Sequence, residues 1–186
     1  MPSRRRPTSE PAAGPAGLDT DPETVARTIA LRLLDHSPRS RADLEHALAR
    51  RGVPAEAATA VLDRFTEVGL IDDAAFAAAW VDSRHAGRRL GRRALATELY
   101  RHGIDRDLAE QALANVSNDD ELIAARALVD RRLRTMRGLD HATKIRRLTA
   151  MLGRKGFSAG LAGRVVRDAL AQEGASQEGG SPGTIE

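Results

Sequence analysis

With 186 residues, 41% hydrophobic and 30% charged, the chain has the make-up of one medium domain or a few small repeated units. It has no cysteine, which excludes disulfides, thiolate metal sites and cysteine nucleophiles. The net charge is only +3, no apolar run approaches the ~20 residues that span a bilayer, and Met1–Gly17 lacks the apolar centre of a secretory signal.

A cytoplasmic protein is the expectation. Aromatics make up 3% of the chain, so its core must be built from Leu, Val, Ile and Ala.

Residues 1–20 are rich in Pro and small residues and read as a disordered tail, with Arg4-Arg5-Arg6 as its only charge cluster. Order is expected from Asp21, a good N-cap, with Pro22 suited to the first helical position. Val25, Ile29 and Leu33 then recur at helical spacing, and Ser37-Pro38 ends the helix. Ser40 caps a second helix, with Asp43 three residues on as a weak capping-box partner. Leu44 and Leu48 face inward, and Gly52 stops it. Pro54 opens a third helix carrying Ala58, Val61, Leu62 and Phe65, which stops at Gly69.

The same plan recurs twice. Gly52, Gly103 and Gly156 lie 51 and 53 residues apart. A basic pair precedes each: Arg50-Arg51, Arg101-His102 and Arg154-Lys155. An apolar anchor follows each: Val53, Ile104 and Phe157. Leucines stand four and eight residues before each, as Leu44/Leu48, Leu95/Leu99 and Leu148/Leu152. Helical period, absence of strand-like alternation and this internal repeat predict an all-α fold of three tandem three-helix repeats at 21–71, 72–117 and 118–171. Each repeat glycine is expected in a left-handed C-cap. Residues 172–186, Gly/Ser-rich and acidic, read as a second disordered tail.

Charge is unevenly placed. Residues 22–71 and 72–117 each carry seven basic and seven acidic groups, whereas 118–171 carries twelve basic and six acidic. Arg84–Arg93 has five arginines and no acid, and is read as an interruption between helices, with Gly87–Gly91 as an arginine-rich linker. Such a surface attracts polyanions or an acidic protein face. The candidate binding edge is Arg84, Arg88, Arg89, Arg92, Arg93, Arg101, Arg131, Arg132, Lys144, Arg146, Arg147, Arg154 and Lys155. The plain alternative is a solvated helix face, and for Arg131 and Arg132 acids at the helix start would also complement the dipole.

Catalytic motifs are missing. There is no P-loop, no GxSxG elbow and no HExxH, and the five histidines have no metal-ligand spacing. Asp72-Asp73 and Asp119-Asp120-Glu121 read as helix starts. No enzyme, cofactor or metal site is expected. Trp80, four residues after Phe76, reads as core of the middle unit, with an interaction anchor as the alternative. Tyr100 is expected to point outward, where it could stack on a base or partner.

Gly69-Leu70-Ile71-Asp72-Asp73, Phe76, Trp80-Val81, Arg84, Gly91, Leu95, Glu98-Leu99 and Gly103-Ile104 together resemble the signature of the RecX family, regulators of the recombinase RecA. The resemblance extends over 22–171, and 69–105 is its specific part. It implies an elongated, curved helical solenoid without catalysis of its own. It also implies binding to RecA filaments on DNA, with limits on filament growth, ATP hydrolysis and strand exchange. Some members also bind DNA, which makes single- or double-stranded DNA a further candidate partner. A monomer is the expected state. No catalytic residues carry over, and the basic edge rests on charge placement alone. An autonomous DNA-binding helical protein and a structural adaptor are the competing classes.

Overall fold

The structure is a computed structural model that describes residues 21–178. Among these residues there are nine α-helices and no strand: α1 (Pro22–His36), α2 (Arg41–Ala49), α3 (Ala55–Glu67), α4 (Asp73–Arg88), α5 (Arg92–Arg101), α6 (Arg106–Ala114), α7 (Asn118–Leu133), α8 (His141–Arg154) and α9 (Ala159–Glu178). The expected tail at 1–20 and residues 179–186 of the one expected at 172–186 lie outside the described residues.

Local chemistry sets the helix starts. The Asp21 carboxylate accepts from the N–H groups of Glu23 and Thr24, and Pro22 follows at the first helical position. Asp72, Asp105 and Asp140 each accept one N–H three residues on, at 2.9 Å. Ser117, not the acids after it, caps α7. Its hydroxyl and Asp120 form a reciprocal capping box. The box expected at Ser40 is only half formed. Ser40 accepts from the Asp43 N–H, but the Asp43 carboxylate turns away to His102.

Three bundles result, α1–α3, α4–α6 and α7–α9, each with its own apolar core. The repeat leucines Leu44, Leu48, Leu95, Leu99, Leu148 and Leu152 are all fully buried. Burying each contributes roughly 2 kcal/mol, so these six anchor the units. Gly52, Gly103 and Gly156 have φ of +76°, +71° and +87°, the left-handed turn the repeat requires.

Helix-on-helix packing is concentrated within each bundle. Neighbouring units meet through caps and turns, and the two joints follow one plan. At the first, the Ser40 hydroxyl donates to the His102 carbonyl at 2.6 Å. Beside it, the Arg41 N–H donates to the Asp73 carboxylate at 2.8 Å. At the second, Gly91 occupies the position of Ser40 and donates its N–H to the Lys155 carbonyl at 2.8 Å. Arg92, equivalent to Arg41, donates its N–H to Glu121 at 3.0 Å. Each joint thus seats the start of one unit's middle helix on the glycine turn of the next.

The glycines permit this approach. A Cβ on Gly103 would run into the Ala42 methyl, and one on Gly156 into Ala94. A Cβ on Gly91 would lie 2.7 Å from the Gly156 carbonyl, so this N-cap carries no side chain. At Gly52 a Cβ would meet open space.

Two expectations change. α4 continues through Gly87 and Arg88, so the arginine-rich linker shrinks to Arg89–Gly91. The His85 ring bonded to the Leu90 carbonyl at 2.9 Å closes that turn, and Arg89 takes the left-handed conformation at φ 50°. α9 also continues past 171 to Glu178, because Gln172 and Glu173 have partners on the bundle in Arg126 and Lys144.

Candidate functional site

The expected basic edge divides into structural and free cations. Arg84 belongs to the middle bundle. Its guanidinium lies 4.0 Å over the Trp80 ring, and its Nε is 3.4 Å from Glu98. Arg92 donates from its guanidinium to the Val116 carbonyl and so braces the second joint. Lys155 reaches back to the Arg88 carbonyl at 2.9 Å. Lys144, expected on the surface, is 9% exposed and donates to Glu173 at 2.8 Å. Its position on the inner side of α8 removes it from the binding edge.

Six of the free cations cluster in two adjoining grooves. One, of about 490 Å³, is lined by Arg132, Arg146, Arg147, Ala150, Met151 and Arg154. The other, of about 370 Å³, lies between α5 and α8 and includes Arg93, Arg101 and Arg154, with Thr97 and Glu98 on its wall. Arg154 belongs to both. Among the described residues, the side chains of Arg93, Arg101, Arg132, Arg146, Arg147 and Arg154 have no hydrogen-bond or ion-pair partner. The first groove has no acid in its lining. Glu98 in the second is occupied by the Trp80 N–H at 2.9 Å and by Arg84.

Six guanidiniums thus form one basic track that crosses from the second unit to the third. Arginine suits such a surface because its planar fork binds carboxylate or phosphate through two parallel hydrogen bonds. Arg88, Arg89 and Arg131 are exposed but line neither groove.

Trp80 is half-buried against the middle core, stacked on Phe76 at 5.6 Å and edge-on to His102 at 4.2 Å. Tyr100 is 50% exposed, as expected. Sequence reasoning did not find the His102–Asp43 contact at 2.8 Å or the place of Arg39 beside it, because both arise only when units fold against each other. Among the described residues no cluster of three metal-ligating side chains occurs, and no helix is long and apolar enough to cross a membrane.

Comparison with known proteins follows the same three-part division. Residues 26–65, 72–113 and 119–166 match the first, second and third three-helix domains of RecX. A regulatory protein RecX of Thermobifida fusca (strain YX) is 52% identical over 172 residues, spanning 91% of this chain and 93% of that protein. The regulatory protein RecX of Streptomyces coelicolor is 53% identical over 158 residues, covering 85% of this chain and 84% of that protein. In fold, the crystal structure of RecX from Lactobacillus salivarius superposes with a TM-score of 0.73 at 20% identity, over 80% of this chain and 96% of that one. The relatives are named as regulatory proteins, and the three matched domains coincide with the three bundles. The chain therefore belongs to the RecX family of regulatory proteins.

Proposed function

We propose that this protein binds RecA filaments on DNA and restrains their ATP hydrolysis and strand exchange, using the basic track of its second and third units. Family membership supports the partner. The observation that carries the surface is the set of six arginines without an acidic partner, held in register by the second joint. Each exposed ion pair contributes only about 0–1 kcal/mol, so binding needs several of them together. A rigid joint reduces the ordering cost of presenting them at once. On this reading the protein works in the cytoplasm as a monomer.

The acid-free groove between α7 and α8 also favours a second reading, direct capture of nucleic-acid phosphates without RecA. One variant tests the surface, and the native chain's binding to bare DNA separates the two readings. Reversal of Arg132, Arg146, Arg147 and Arg154 to Glu should abolish inhibition of RecA's DNA-dependent ATPase while leaving the helical circular dichroism unchanged. Unchanged inhibition contradicts the surface assignment. If the native chain shifts bare DNA at sub-micromolar concentration and physiological salt, and does not inhibit RecA, the second reading replaces the first.

A further inference from the structure

Another cavity, of about 530 Å³, lies at the first joint, where the α1–α2 loop meets α4 and the end of α5. Its walls come from two units: Pro38 and Arg39 from the first, and Phe76, Ala79, Trp80 and Arg84 from the second. Ala79 and Ser83, one turn apart on the exposed side of α4, are small enough to leave the groove open. Its floor is aromatic and fixed, because the Trp80 N–H is held by Glu98 and the ring by Phe76.

The lip of the groove is cationic and short of acceptors. Arg39 Nε is buried and has no hydrogen-bond partner among the described residues. Arg84 Nε is also buried and sits 3.4 Å from Glu98, within ion-pair range but without hydrogen-bond alignment. Asp43, the acid in the lining, is taken by His102 at 2.8 Å. A buried donor without an acceptor is rare in native structures, and the Arg39 guanidinium as a whole makes no hydrogen bond or ion pair among the described residues.

We infer that this groove docks an acidic peptide segment of a partner protein. A bulky apolar side chain fills the space beside Ala79 and Phe76, and a neighbouring carboxylate meets Arg39. Charge complementarity selects the carboxylate, and the carbon-rich walls select a peptide side chain. Phe76, His102 and Arg84 already pack the indole, which works against capture of a base by stacking. Because the walls belong to two units, an occupant also bridges the first joint. The inference stands independently of what the basic track binds.

Trp80 is the only tryptophan, so its fluorescence reports the groove directly. The test titrates the full chain with capped octapeptides that carry Leu, Ile or Phe at the centre of a glutamate-rich frame. Matched peptides in a lysine-rich frame serve as controls. The expected result is a saturable change in Trp80 emission with the acidic set, at least about tenfold weaker with the lysine set. Arg39→Gln should weaken it, and Ala79→Leu should block it by filling the groove. The variant R132E/R146E/R147E/R154E should keep it, which separates this site from the track. The inference is overturned if no acidic peptide gives a saturable change or both frames respond equally. It is also overturned if both groove variants bind like the native chain, or if only a single-stranded oligonucleotide elicits the response.

Discussion

Gly52, Gly103 and Gly156 have nearly the same backbone but different neighbours, and substitution should separate the two reasons for glycine. At Gly52 an alanine meets open space and only the left-handed φ opposes it, a cost of about 1 kcal/mol. At Gly103 and Gly156 the methyl also strikes Ala42 or Ala94, adding roughly 1–3 kcal/mol of overpacking. Urea unfolding of the three variants checks this, and equal losses would remove the packing role of the joints. Among the caps, Asp120 titrates below the ordinary aspartate range, first because the Ser117 hydroxyl donates to it and then through the Ser117 N–H. Its folded value is depressed, so its contribution is complete above the unfolded value of about 3.9 and fades as pH falls through the lower folded value. Ser117→Ala should move the Asp120 titration up toward the ordinary value, as carboxyl NMR would show; an unmoved titration means the hydroxyl is not the cause.

The helix starts were legible in the sequence because a cap acts within three residues of itself, as at Asp21 and Ser40. The repeat was legible because leucines and a turn glycine recur at fixed offsets. The joints were not legible. Ser40 and His102 are 62 residues apart, and Lys155 and Arg88 are 67 apart, so no local pattern pairs them. That also explains why Arg92 and Lys155 looked like free surface cations, and why Arg39 attracted no notice. The end of α9 was misplaced for a related reason. Gln-Glu-Gly-Ala-Ser reads as tail by composition, yet Glu173 supplies the acceptor for buried Lys144. Glu173→Ala should therefore destabilise the third unit by about 2 kcal/mol or more, since a buried ammonium loses its partner. Thermal unfolding followed by circular dichroism tests it, and a change under about 0.5 kcal/mol would make the contact a surface pair of little weight.

Across the whole molecule, two repeated joints place three separately cored bundles in one order, and the second joint lays the arginines of α5 beside those of α8. The charge excess of residues 118–171 pointed to the third unit, but its continuity with Arg93 and Arg101 came only from the folded arrangement. Binding through this track should weaken as salt rises, because exposed pairs are screened beyond about 8 Å at physiological ionic strength. The claim of one continuous surface rests most on Arg154, which lines both grooves. Its most direct test is the dissociation constant for preformed RecA–DNA filaments, measured for Arg93→Glu, Arg146→Glu and Arg154→Glu at one salt concentration. The account predicts that all three bind more weakly and Arg154→Glu the most. Native affinity for Arg154→Glu, with either of the other two impaired, would contradict it.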